Sequence, residues 1–125
     1  MRKLLSPLVA LIAVSAVAVS LTPGAFAANR TSPSVVRLTA VASGLAYNTK
    51  KLTAKAGRIK LVFRNLSPLK HDVRLAQGRR VLGGTKTIST GTTSVILTLK
   101  KGRYHFYCSV PGHEAAGMSG YLTVT

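Results

Sequence analysis

Polar and apolar residues alternate along much of this chain, and the alternation falls into short runs. From Val35 to Ala42, Val36, Leu38 and Ala40 lie on one side and Val35, Arg37 and Thr39 on the other. A period of two marks a strand with one buried face. Arg58 to Arg64 carries the pattern more sharply, with Ile59, Leu61 and Phe63 pointing one way and Arg58, Lys60 and Arg64 the other. Asn65-Leu-Ser-Pro68 then turns the chain, since a proline cannot donate to a strand ladder. His71 to Leu75 reads as the next strand, with His71, Val73 and Leu75 sharing the inward face.

Thr92–Leu99 and Arg103–Cys108 are predicted as strands joined by a hairpin turn at Lys100-Lys101-Gly102, and Gly120–Thr125 as a terminal strand. Between residues 76 and 91, glycine, threonine and basic residues blur the pattern. Gly83-Gly84 is a turn signal there, and Lys86–Ser89 reads as a short edge strand. No run of ten or more residues after Ala27 has a helical period. The expected fold class is all-β, an antiparallel β-sandwich or barrel.

The N-terminus changes the domain count. Arg2 and Lys3 precede an apolar run from Leu8 to Leu21, which ends at Pro23-Gly-Ala25-Phe26-Ala27. A charged start, an apolar middle and an Ala-x-Ala site predict a secretory signal peptide over residues 1–27. The competing reading is a membrane anchor, which Ser15, Ser20, Pro23 and Gly24 weaken by interrupting the run. Cleavage after Ala27 leaves residues 28–125, enough for one domain and no transmembrane span.

Charge and cysteine usage narrow the partners. The whole chain carries a formal +16, with Asp72 and Glu114 as its only acids. Such a balance suits anionic envelope polymers, anionic lipids or an acidic partner protein. Nucleic acid is the usual partner of a basic domain, but export and the lack of an aromatic-basic motif argue against it. Cys108 is the only cysteine, so no internal disulfide is possible. A lone cysteine in an oxidising compartment is a liability unless it is buried, metal-bound or catalytic. A monomer is expected.

Candidate chemistry concentrates in Cys108-Ser-Val-Pro-Gly-His113-Glu-Ala-Ala-Gly-Met118, where cysteine, histidine and methionine follow one another at intervals of five. Thiolate, imidazole and thioether are donors that suit copper. Cys108 shares the inward face of its strand with Tyr104 and Phe106, whereas His105 and Tyr107 face outward. An extended chain from Cys108 to His113 would run about 16 Å, so a shared ion requires the segment to double back. Pro111-Gly112 supplies a turn, and Gly117 and Gly120 allow a second reversal toward Met118. His71 is the obvious fourth donor. Taken singly, a methionine is usually core filler, a buried cysteine inert and a strand histidine structural. The joint placement at the loop ends of a β-domain is what favours a metal site.

Gly102-Arg-Tyr104-His-Phe106-Tyr107-Cys108-Ser-Val-Pro111-Gly112-His113 with Met118, supported by Asn65 through Val73, resembles the cupredoxins of the plastocyanin/azurin group. The resemblance implies a Greek-key β-sandwich holding one type 1 copper ion, with His71, Cys108 and His113 as equatorial ligands and Met118 as the axial one. It also implies a latch between the ligand loops. The family usually has Asn after the first ligand histidine, bonded to the hydroxyl residue after the ligand cysteine; here those positions are Asp72 and Ser109. An ionised Asp72 near copper would favour Cu(II) and lower the potential.

The interval of four residues between Cys108 and His113 resembles azurins, and the four between His113 and Met118 resemble plastocyanins. The acidic patch of many plastocyanins is missing. The expected function is therefore exported one-electron transfer through Cu(I)/Cu(II), in the periplasm or at the cell envelope, with an acidic redox partner. An envelope copper carrier or buffer is the alternative. An enzyme would need a second copper and more histidines than His105 supplies.

Overall fold

A computed structural model describes residues 10, 12–13, 15–18 and 31–125 of the chain. Most of the expected signal peptide, residues 1–27, lies outside the described residues. Eight strands form: β1 (Ser34–Ala40), β2 (Lys51–Ala54), β3 (Gly57–Asn65), β4 (Arg74–Gln77), β5 (Arg80–Gly84), β6 (Gly91–Leu99), β7 (Gly102–Tyr107) and β8 (Ser119–Val124). They make a three-stranded sheet in the order β1-β3-β6 and a five-stranded sheet in the order β2-β8-β7-β4-β5. Among the described residues no helix is long and apolar enough to cross a membrane.

The alternating runs bury the faces expected of them. Val36, Leu38 and Ala40 from β1, Ile59, Leu61 and Phe63 from β3, Tyr104 and Phe106 from β7, and Leu122 and Val124 from β8 form one core. Burying side chains of this size stabilises by roughly 1.5–3 kcal/mol each before entropy is counted. The core is therefore the inward half of each period-two pattern.

Pairing departs from the expectation in several places. β1 runs parallel to β3, and β2 parallel to β8, so both sheets are mixed rather than wholly antiparallel. Lys100-Lys101-Gly102 does not close a hairpin: β6 pairs with β3, whereas β7 pairs with β4 and β8. The turn instead carries the chain from one sheet to the other, and the Tyr104 hydroxyl donates to the Lys100 carbonyl at 2.7 Å.

β5 was hidden by its own composition. Gly83 and Gly84 lie within the strand, not in a turn, and the hairpin turn is at Gly78-Arg79. A Cβ at Gly84 would collide with the Val73 carbonyl oxygen, so glycine marks close backbone approach here. Lys86–Ser89 is no strand either; Ile88 makes a single bridge to His71. The fourth strand begins at Arg74, three residues later than its alternation predicts, because Asp72 as well as His71 and Val73 is buried.

Candidate metal centre

Cys108 follows directly on β7, whose inward residues Tyr104 and Phe106 are buried, and its side chain is 1% exposed. From there the chain folds back through a series of turns. His113 N–H donates to the Val110 carbonyl (3.0 Å), Ala116 N–H to Gly112 (3.1 Å) and Gly117 N–H to Glu114 (2.9 Å). Two further bonds tie the ends together: Met118 N–H to the His113 carbonyl and Cys108 N–H to the Met118 carbonyl, both 3.1 Å. Gly112 and Gly117 have φ of +82° and +102°, values that suit glycine and make the reversals possible. Met118 is fully buried in the same core as Cys108.

His71 arrives from the other loop. Its N–H and carbonyl both bond to Ile88, at 3.0 and 2.9 Å. Its Nδ1 lies 3.1 Å from His113 Nδ1 and 3.9 Å from Cys108 Sγ, while His113 Nδ1 and Cys108 Sγ are 3.6 Å apart. The point equidistant from atoms at these three separations lies inside the triangle, about 2.1 Å from each corner. That is the length of a metal–imidazole bond, and it is about 0.2 Å short of a metal–thiolate bond. His71, Cys108 and His113 are the one such group among the described residues.

Protonation agrees with a site built for a cation. Burial lowers the pKa of His71, the nearby His113 lowers it further, and the ring stays neutral with a lone pair to give. Its Nε2 is buried with no hydrogen-bond partner. Freeing Nδ1 as a donor places the proton on that nitrogen, so the buried N–H is an uncompensated polar group. Burial also raises the Cys108 thiol, so a metal must displace its proton on binding.

The latch is present. Asp72 accepts the Ser109 N–H at 2.7 Å and the Ser109 hydroxyl at 2.5 Å. Thr87 donates to the same carboxylate at 2.9 Å, and Arg74 Nε lies 3.6 Å away. Burial alone would raise the carboxyl, but the Ser109 and Thr87 hydrogen bonds and Arg74 hold it below its ordinary value. Asp72 is therefore an ionised, fully buried group beside the donor cluster.

The same arrangement of sheets and donor loops has a name. Residues 9–124 match the profile of the Cupredoxin-like domain. The chain belongs to the cupredoxin-like family.

Solved structures agree in fold. An auracyanin from Roseiflexus castenholzii superposes with a TM-score of 0.69 at 23% identity, covering 73% of this chain and 96% of its own. The "blue" copper protein auracyanin A from Chloroflexus aurantiacus gives 0.69 at 22%, with 75% and 100% covered. The azurin Az-iso2 from Methylomonas sp. strain J gives 0.64 at 20%, with 73% and 97% covered. No curated protein is significantly similar in sequence. In this cupredoxin the donor set, two imidazoles and a thiolate with a buried thioether in the same loop, fits a single type 1 copper ion.

His105 stays out of the cluster. It lies against Tyr107 and Tyr121, with ring centroids 5.4 and 5.3 Å away, and its Nε2 is 3.7 Å from Glu114. Four contributors escaped the sequence reading. Tyr47 is buried edge-on to Phe63 and Phe106, and its hydroxyl donates to the Asp72 carbonyl. Thr85 bonds to Val73 through both its hydroxyl and its amide, and Thr87 holds Asp72. Asn65 donates to the Leu69 and Ile88 carbonyls, both at 2.8 Å, and accepts the Ser67 N–H. A lone aromatic between Ser43-Gly44 and Asn48-Thr49-Lys50 was the available signal for Tyr47; the threonines carry none.

Proposed function

We propose that this cupredoxin is an exported one-electron carrier holding one copper ion through His71, Cys108, His113 and Met118. The observation that carries this reading is the triangle of Nδ1, Nδ1 and Sγ atoms with its centre at metal-bond distance. A bound copper supplies the Cu(I)/Cu(II) couple. The chain supplies a donor set already assembled, with His71 and Cys108 buried and both loops pinned, so little rearranges between oxidation states. His113 is only partly buried. Pro111, Gly112, Ala115 and Ala116 beside it are exposed, a small apolar rim through which a partner reaches the imidazole edge. Leu66 and Leu69, 40% and 50% exposed, add apolar surface on the loop that leads into His71.

Residues 1–27 serve as the export signal in this reading, and an acidic redox partner is drawn to the basic surface. Their association slows as salt rises. A buried, closed donor set supports electron transfer over copper delivery, which needs exchangeable ligands.

The test is to load the purified domain with Cu(II) and record its visible and EPR spectra. An intense thiolate-to-copper band that disappears in Cys108→Ser is expected. Its absence in the parent protein, or its survival in the variant, overturns the proposal. A blue protein with slow, irreversible voltammetry would assign the chain to copper delivery instead.

A further inference from the structure

The peptide group joining Gly117 to Met118 is gripped at both ends. Its N–H, on Met118, donates to the His113 carbonyl at 3.1 Å. Its oxygen, on Gly117, accepts the Ser119 N–H at 2.9 Å and the Lys50 ammonium at 2.7 Å. A peptide unit is planar and stiff, so whatever holds its oxygen also orients the Met118 backbone. Lys50 comes from a segment 67 residues away in sequence, just before β2. It is a charged strut from outside the donor loops to the residue between His113 and the terminal strand.

The same lysine borders a groove. Lys50, Lys51 and Leu52 line it on one side and Arg103 and Tyr121 on the other, enclosing about 500 Å³. The Arg103 guanidinium lies 3.8 Å from the Tyr121 ring centroid, and Tyr121 is 44% exposed. Three cations line this groove and no acid does.

We infer that this groove is the docking site for an acidic segment of the partner protein, and that Lys50 reports its occupancy to the Met118 loop. Carboxylates entering the groove compete with the neutral Gly117 oxygen for the Lys50 ammonium, because an ion pair adds the attraction of opposite charges that a neutral carbonyl lacks. The cations stand just before β2, on β2 and on β7, with Tyr121 of the intervening β8 between them, which suits a peptide segment better than a small anion. Release of Lys50 leaves one fewer bond on the peptide oxygen ahead of Met118. Docking thereby alters the surroundings of the donor set. The copper arm of this inference rests on the proposed electron-carrier function; the binding arm does not.

Both arms use a hexaglutamate peptide as probe. In the copper-free, isotopically labelled protein, the peptide is expected to shift amide signals of Lys50, Lys51, Gly117, Ser119 and Tyr121 most. Lys51→Ala with Arg103→Ala weakens binding roughly fivefold to tenfold, the sum of two exposed ion pairs. Lys60→Gln, on the other sheet, leaves it within about twofold. In the copper-loaded protein, saturating peptide shifts the visible band and the potential, and Lys50→Met abolishes that shift while weakening binding only about twofold to fivefold.

Signal changes spread evenly over all basic faces, or equal weakening by Lys60→Gln, overturn the docking site. A copper response that persists in Lys50→Met overturns the strut. Groove binding in a protein that forms no blue site leaves the docking site standing and removes the electron-carrier function.

Discussion

The segment from Asn65 to Val73 is fastened by side chains from distant strands and loops, whereas Cys108 to Met118 is fastened mainly by its own backbone. In the first, Asn65, Ser67, His71, Asp72 and Val73 are all buried. Their partners are Tyr47, Thr85, Thr87, Ile88 and Ser109. In the second, Pro111, Gly112, Glu114, Ala115 and Ala116 are exposed, and successive turn bonds set the path. A buried polar network holds its members in one arrangement, because each missing partner leaves a desolvated group unpaired. Turn bonds at the surface can be replaced by water. One donor thus comes from a rigid seat and the others from a loop shaped to meet a partner. Beyond the contacts among the donors themselves, Asp72 joins the two through the side chain of Ser109.

The strongest way to break this contrast is Asp72→Ala. It removes a fully buried acceptor from the Ser109 amide and hydroxyl and the Thr87 hydroxyl, donors on exposed residues that water partly satisfies, at a loss of about 2–4 kcal/mol. Urea unfolding of the copper-free protein measures it, and a loss below about 1 kcal/mol would mean that the latch is not structural. Asp72→Asn keeps the shape and one acceptor and should recover about half of the loss.

Next comes Asn65→Ala, which removes three bonds within the seat, at about 2–3 kcal/mol by the same measurement. It should slow copper uptake by misplacing His71. Unchanged uptake would show that the bridge to Ile88 alone positions the imidazole.

Acid sharpens the contrast without mutation. The folded His71 ring takes a proton less readily than its ordinary value of 6.5, so the unfolded chain binds the extra proton and stability falls as pH drops from there. Asp72 acts lower. Its folded pKa lies below 3.8, so its contribution is present above 3.8 and is lost as pH falls through the folded value. Thermal melts of the copper-free protein from pH 7 to 2 should fall in two stages. His71→Gln should remove the first and Asp72→Asn the second.

The smallest effect belongs to the exposed loop. Gly112→Ala places a side chain at φ +82° with open space around it, a loss of about 1 kcal/mol. The blue band should be retained. A loss as large as that of Asp72→Ala would mean that the second loop is no softer than the first.

Legibility in the sequence followed the same division. Cys108, His113 and Met118 stand within one short segment with Pro111 and Gly112 at its turn, and the backbone bonds that shape its turns lie within that segment. β1, β3, β7 and β8 were legible because each has one buried face, and β6 because half-buried residues alternate with exposed ones. β2 was missed because it is only four residues long, although Leu52 and Ala54 alternate with Lys51 and Thr53. β5 was missed because the glycines that let it approach Val73 also mark turns.

What the sequence determined by itself is local: the period-two faces, the lone cysteine on an inward face, and the turn chemistry that brings His113 and Met118 back to it. Tertiary structure decided the rest. Parallel pairing of β1 with β3, the passage at Lys100–Gly102 from one sheet to the other, and the meeting of His71 with Cys108 all depend on contacts far apart in sequence. Side-chain alternation specifies which face is buried but not which strand lies beside it. That choice belongs to the whole core, and with it the 3.1 Å approach of two imidazoles from separate loops.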